Sequence, residues 1–352
     1  MGRPTTRDLA RVAGVSLATV DRVLNKRGGV RQSTVKRVTE TIKELNYVRD
    51  ISAVNLARSA EYKLVFLLPD HDDDFTAMVR LAIDEANVSM AHERTAVSIV
   101  GVPVSDPHRI AKEIDRLSAD QVDGVAIMAP ETAQVRDAIA RLDARGIAVV
   151  AFVSNQPNVQ NACFVGINNE AAGRTAGQLL AKFTGERKGS VLVITETMKS
   201  RDSQERRLGF DAVLACYAPR LKIKPSMETY ADAVRTAKIV ASAFRNNPDI
   251  VGIYLMSHDI LETMKAIEAY GVPPQTVIIG HELTPKTRMR LNDGTLDALI
   301  TQDVGHLVRS SIRVLKSRIS RISTLASQER IRIEIILREN LPDDYSALSF
   351  NP

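Results

Sequence analysis

From Lys63 onward the sequence alternates short apolar runs with amphipathic stretches, and this rhythm restricts the chain to parallel sheets covered by helices. Leu64-Val65-Phe66-Leu67-Leu68 precedes a helical pattern over about residues 75–90, a strand over 96–102 and a helix over 110–117. Strands over 124–128 and 148–153 follow, with a helix over 133–144 between them. The rhythm resumes after Asn161 with Cys163-Phe164-Val165, Val191-Leu192-Val193-Ile194, Gly252-Ile253-Tyr254-Leu255 and Val277-Ile278-Ile279. Apolar runs this continuous suit strands buried on both faces. Two series of similar length predict two lobes.

The first sixty residues follow another rule. Thr5-x-x-Asp8 is a capping-box pattern that opens a helix with Leu9, Val12 and Ala13 on its apolar face. Gly14 suits a left-handed helix end and Ser16 the cap of the next helix, residues 17–25, with Val20, Val23 and Leu24 facing inward. After Gly28-Gly29 a third helix, starting near Ser33 because Arg31 is a poor cap, would bury Val35, Val38, Ile42 and Leu45. Helix, glycine turn, helix and supporting helix make a helix-turn-helix, whose second helix presents Leu17, Ala18, Asp21 and Arg22 outward. Arg22 suits a bidentate guanine contact, and Leu17 or Ala18 a thymine methyl. The same periodicity also fits a three-helix bundle that binds protein.

Charge separates the two regions. Residues 1–60 carry 12 Lys and Arg against 5 Asp and Glu, a net of +7, while the remaining 292 carry 35 against 37, a net of −2. A basic head on a near-neutral body points to a polyanion met by the head alone, the plainer reading being a solvated basic surface. At 352 residues the chain is long enough for two or three domains. Cys163 and Cys216 set up neither a disulfide framework nor a metal site, and no apolar run is long enough for a membrane span or a secretory signal, so a cytoplasmic location is expected.

The residues of the head carry a resemblance. Asp8-Leu9-Ala10-Arg11-Val12-Ala13-Gly14-Val15-Ser16, Ala18-Thr19-Val20-Asp21-Arg22-Val23-Leu24-Asn25 and Glu44-Leu45-Asn46-Tyr47 closely resemble the head-piece of the lactose-repressor (LacI/GalR) family. The resemblance implies double-stranded operator DNA as partner, with contacts from Thr6, Ser16, Leu17, Ala18, Thr19, Arg22 and Asn25. Asp21 stands where the family usually has a serine on phosphate, and an acid there weakens backbone contact. In the segment 49–61 the family orders a hinge helix on DNA and wedges a leucine into the minor groove, which by position is Leu56. Arg49-Asp50 replaces the family's Pro-Asn, and a flexible linker is the alternative.

Over residues 62–340 the likeness extends to the family's sensor domain and, more distantly, to periplasmic ribose-binding proteins. It implies a fold with an all-α helix-turn-helix head over 1–48, a hinge over 49–61, a two-lobed α/β sensor over 62–340 and a tail over 341–352. Lobe one is expected over about 62–160 and 293–325, lobe two over about 161–292 and 326–340. Ligands of open α/β sheets bind beyond the carboxyl ends of the strands. The polar residues there include Ser154, Asn155, Arg206, Glu282 and Gln302. By resemblance Arg206 clamps hydroxyls, His258, Glu282 and Gln302 stand at solute-binding positions, and Phe75 lies near a stacking aromatic. Arg206 could instead be a surface residue paired with Glu205 or Asp202. His258 for the family's Asn and Glu282 for its Asp point to a sugar, polyol, sugar acid or sugar phosphate other than the usual ones.

The whole therefore predicts a homodimeric transcription regulator, a repressor, without cofactor, metal or catalytic residues. His71-Asp72-Asp73-Asp74 is a sequence of loop acids whose consecutive placement argues against one metal site. A periplasmic solute-binding protein would lack the head, and a nucleotide-dependent enzyme would need a glycine-rich phosphate loop that is not found here.

Overall fold

A computed structural model of the chain describes residues 4–24, 28–45, 47, 61–71, 73–103, 106–159, 162–257, 260–273, 275–322 and 324–343. It divides into two compact units, Met1–Glu61 and Tyr62–Pro352. Asn25, the expected hinge with Leu56, and His258 lie outside the described residues.

In the smaller unit α1 spans Thr6–Ala13, α2 Leu17–Leu24 and α3 Gln32–Glu44. The capping box forms as its spacing requires. The Thr5 hydroxyl accepts the Asp8 N–H at 3.3 Å, and the Asp8 carboxylate accepts the Thr5 N–H at 2.9 Å. Gly14 ends α1 at φ 61, a left-handed conformation with no Cβ to clash. Ser16 then accepts the Thr19 N–H at 3.1 Å, starting α2.

Leu9, Ala13, Val20 and Val38 form the buried centre, and each large one contributes about 1.5–3 kcal/mol. Val12 and Val35, expected inside, are 46% and 37% exposed, and Ile42 and Leu45 are half-buried. On α3 the buried stripe passes through Val38 and Thr41, whose hydroxyl bonds back to the Arg37 carbonyl at 3.0 Å. That rotation leaves Val35 on the rim. Arg31 precedes α3 with no side-chain cap, and the helix starts at Gln32 rather than near Ser33.

The larger unit holds two sheets. The first, ordered β2-β1-β3-β4-β5, is parallel throughout: β1 Tyr62–Pro69, β2 Thr95–Val102, β3 Gly124–Ile127, β4 Ala148–Phe152 and β5 Cys163–Val165. Helices α4 (Asp74–Met90), α5 (Pro107–Arg116) and α6 (Ala133–Ala144) connect its strands. Alternation along β1 sends Leu64, Phe66 and Leu68 into one apolar layer with Val79 and Ile83 of α4. Val65 and Leu67 enter the other layer, with Ile110 and Ile114 of α5 and Ile139 and Leu142 of α6.

The second sheet runs β11-β10-β9-β8-β6-β7. Its strands are β6 Gly189–Thr195, β7 Leu221–Glu228, β8 Ile250–Leu255, β9 Val277–His281, β10 Ala298–Thr301 and the antiparallel edge β11 Glu334–Ile336. Here α7 (Asn169–Thr184) and α8 (Arg201–Tyr217) cover one face, while α9 (Ala233–Asn246) and α10 (Leu261–Tyr270) cover the other. Short α11, Pro285–Asn292, precedes β10.

Two expected lobe boundaries are corrected. Cys163–Val165 pairs with β4 in the first sheet, so the first lobe continues past residue 161. Strand β10 pairs with β9, so the second lobe continues past 293, and the chain returns to the first lobe only with α12, Val304–Ser320, which packs on β3, β4, β5 and α4. A strand belongs to the sheet that takes its hydrogen bonds, and three-residue β5 reads the same from sequence in either lobe. Among the described residues no helix is long and apolar enough to cross a membrane.

Candidate functional site

The head presents one exposed face of α2. Leu17 is 47% exposed, and Ala18, Asp21 and Arg22 are exposed beside it. Thr6, in the first turn of α1, is exposed as well. Ser16 and Thr19 share a hydroxyl–hydroxyl bond of 2.9 Å, so both are partly committed to shaping the helix start.

In the larger unit the candidate residues converge through the crossing of α7 and α8. A Cβ on Gly173 would lie 1.9 Å from the Arg206 carbonyl oxygen, and one on Gly209 2.0 Å from the Glu170 carbonyl oxygen. Only glycine lets these helices touch backbone to backbone. That contact turns Arg206, in the second turn of α8, inward to 8% exposure.

Arg206 Nε donates to Asn169 Oδ1 at 2.8 Å, and Nη1 donates to the Met256 carbonyl, just past β8, at 2.7 Å. Its Nη2 lies 3.9 Å from Glu282 Oε1. Glu282, immediately after β9, is 3% exposed and adopts φ 60. A non-glycine residue there costs on the order of 1–3 kcal/mol and must be held by its surroundings. Its N–H donates to the Ile300 carbonyl at 2.9 Å, and its own carbonyl accepts from the Thr287 hydroxyl at 2.7 Å. Its carboxylate accepts from Gln302 Nε2 at 3.0 Å and from the Thr301 hydroxyl at 3.3 Å.

The network reaches the other lobe. Asn169 Nδ2 donates to Asp202 Oδ1 at 3.3 Å, and the Ser154 hydroxyl, beyond β4, donates to Asp202 Oδ2 at 2.9 Å. Two further pairs span the lobes: Arg201 with Glu131 at 3.0 Å and Lys286 with Asp74 at 2.7 Å. Beneath this network the Tyr254 hydroxyl lies 2.8 Å from His281 Nε2, and Phe210 stacks on Tyr254 with ring centroids 4.4 Å apart. Burial pushes the Tyr254 phenol far above its usual range, against the opposing pull of Arg206, so it keeps its proton.

The structure thus joins Arg206 and Gln302 through Glu282 and links Ser154 to Arg206 through Asp202 and Asn169. The alternative of a surface Arg206 is overturned, since Glu205 pairs with Arg201 and Arg206 is buried. Asn155 lines a cavity of about 820 Å³ with Phe164, Asn168, Glu205 and Arg330. Phe75, expected to stack on a solute, is instead 2% exposed within the apolar core at the start of α4.

Sequence reasoning missed Asn169 as a partner of Arg206. The one available signal is the doubled Asn168-Asn169: Asn168 caps α7 through the Ala171 N–H, leaving Asn169 to turn inward at 2% exposure. Of the loop acids, Asp73 caps α4 through the Thr76 N–H, and among the described residues no group of His, Cys, Asp and Glu could hold a metal ion.

Comparison with known proteins agrees with both units. The family profile described as periplasmic binding protein domain matches residues 64–320, and that of bacterial regulatory proteins, lacI family, matches residues 5–50. Catabolite control protein A of Staphylococcus aureus is 27% identical over 182 residues, 51% of this chain and 52% of that protein. The chain therefore matches about half the length of that relative. The ribose operon repressor of Halalkalibacterium halodurans is 25% identical over 342 residues, 95% of this chain and 96% of that protein. Among solved structures, a glucose-galactose binding protein from Geobacillus stearothermophilus superposes with a TM-score of 0.71 at 21% identity, covering 80% of this chain and 99% of its own, a likeness of fold. The chain belongs, through residues 64–320, to the periplasmic binding protein domain family, and its head over residues 5–50 matches the lacI family of bacterial regulatory proteins.

Proposed function

We propose that the chain is a sequence-specific DNA-binding transcription regulator, acting as a repressor, whose operator affinity is set by a sugar-like small molecule held between the sensor lobes. The observation that carries this reading is the buried network of Arg206, Glu282, Gln302, Asn169 and Asp202, joined through Ser154 to the other lobe. Such a site is rich in planar hydrogen-bonding groups suited to vicinal hydroxyls. A solute that binds it favours one lobe arrangement and shifts the DNA-binding equilibrium by its differential affinity for the two arrangements. The names of the ribose operon repressor and the glucose-galactose binding protein support the same solute class.

DNA contact is assigned to Thr6, Ser16, Leu17, Ala18, Thr19, Arg22, Asn25 and the hinge residue Leu56, in a cytoplasmic homodimer whose two heads read the halves of a pseudo-palindromic site. The effector residues of this proposal are Arg206, Glu282, Gln302, Ser154 and Asn155, with His258 carried over from the family resemblance alone.

Thermal-shift screening of the purified full chain against sugars, polyols, sugar acids and sugar phosphates tests the reading. A true effector at a hundred times its Kd stabilises by about 2.7 kcal/mol. Stabilisation that survives Arg206→Ala would place the site elsewhere, and silence across all four classes would remove the effector from the account.

A further inference from the structure

Two ion pairs cross from lobe to lobe outside the Arg206 network. Arg201 Nη1 lies 3.0 Å from Glu131 Oε2, and Lys286 Nζ lies 2.7 Å from Asp74 Oδ1. All four residues follow the carboxyl ends of strands: Asp74 and Glu131 come after β1 and β3 of the first sheet, Arg201 and Lys286 after β6 and β9 of the second. In these two pairs the first lobe supplies the acids and the second the bases. Both pairs need the lobes at this spacing, because attraction between charges near a surface fades as water fills the gap.

Both bases stand where their own helices disfavour them. Arg201 is the first residue of α8 and Lys286 the second of α11. A helix N-terminus carries partial positive charge, so a cation there opposes its own helix. The acids stand at the same ends of α4 and α6, where they suit the dipole: Asp74 is the first residue of α4, and Glu131 adjoins Thr132, the cap of α6. Helix stability by itself favours the acids where they stand and disfavours the bases, and partners across the cleft give the bases their reason. One pair is also held ready within each lobe. Glu131 Oε1 accepts from Asn158 Nδ2 at 2.5 Å, and Arg201 Nε donates to Glu205 Oε1 at 2.6 Å. Side chains already ordered lose less freedom on pairing.

We propose that the Arg201–Glu131 and Lys286–Asp74 pairs form a salt-sensitive latch that holds the lobes in this arrangement before any solute enters the cleft. A solute that favours the latched arrangement then binds a chain already in it. Weakening the latch lowers its apparent affinity in proportion to the latched chains lost. That consequence rests on the effector reading above. The latch itself is tested without solute or DNA, so its failure and the failure of that reading are told apart.

The test measures the distance between spin labels on the two lobes of the full chain. The labels sit at Ala140→Cys on α6 and Ala237→Cys on α9, both exposed, with Cys163→Ser and Cys216→Ser to remove the native thiols. Labelled chain is diluted into an excess of unlabelled chain, so that pairs within one chain dominate. At low salt one distance should prevail. Glu131→Gln keeps an acceptor for Asn158; combined with Lys286→Gln it should bring in a second distance. The ratio of latched to unlatched chains should fall about twofold to thirtyfold, as losing two surface pairs implies. Sodium chloride should populate the same second distance in the chain that keeps the latch and add little in the variant. A variant and a high-salt chain that both keep the single distance would overturn the latch, and so would two distances whose weights ignore salt. Should the variant fail to fold, the salt series decides: a second distance that grows with salt upholds the latch, and one distance throughout overturns it.

Discussion

The head and the sensor of this chain use arginine in opposite ways. Arg22 stands exposed on α2, on a head with a net charge of +7, where its donors are open to whatever surface approaches. Arg206 is 8% exposed in a sensor near neutrality, with its guanidinium held between an amide, a carbonyl and a carboxylate. An exposed cation is attracted to any polyanion and gains specificity only from the shape that presents it. A buried cation is costly to desolvate and is kept in place by the groups that partner it. On the proposed reading, one region meets a large charged partner and the other encloses a small one.

The sharpest way to break this comparison is to separate the two regions. A chain beginning at Glu61 should lose operator binding altogether while its sensor still melts cooperatively, because the basic residues proposed to meet phosphate lie in the first sixty. Gel-shift titration at several salt concentrations checks it: the full chain should lose affinity steeply as salt rises, and operator binding by the shortened chain would end the division of labour. A smaller effect is expected for Arg22→Ala, which should cost about 1–3 kcal/mol at one base pair and little at the others. Titration against a set of single-base operator variants measures this, and uniform weakening would make Arg22 a phosphate contact. Smallest is Thr5→Ala, which removes the capping hydroxyl of α1 and should cost the head about 1 kcal/mol, read as a lower melting point with the sensor transition unmoved.

The same contrast governs how much of each region could be read from sequence. Thr5 with Asp8, Gly14 and Ser16 act over three residues or fewer, and their caps appear in the structure as the spacing requires. Val35 was misread because periodicity sets an apolar face but not its rotation, and the fold turned Thr41 inward instead. In the sensor, alternation along β1 predicts a strand with two buried faces, which Leu64 and Val65 occupy in separate layers. The lobe boundaries were not legible, because partner choice for β5 and β10 is a hydrogen-bonding fact between segments. Arg206 and Gln302 could be named from their place after strands. Their common partner network could not, since Asn169 stands 37 positions from Arg206 and reaches it only through the glycine crossing at Gly173 and Gly209.

The central claim is that the sensor's buried network controls the head's hold on DNA. Operator affinity of the full chain, measured with and without the effector found by screening, tests it most directly when repeated on Arg206→Ala. Losing a charge-assisted contact costs about 1.5–3 kcal/mol, so the variant should bind effector roughly tenfold to over a hundredfold more weakly. The account predicts that effector changes operator affinity in the unaltered chain, and that the variant binds operator normally but no longer responds at that concentration. An Arg206→Ala chain that responds with unchanged effector affinity would contradict it.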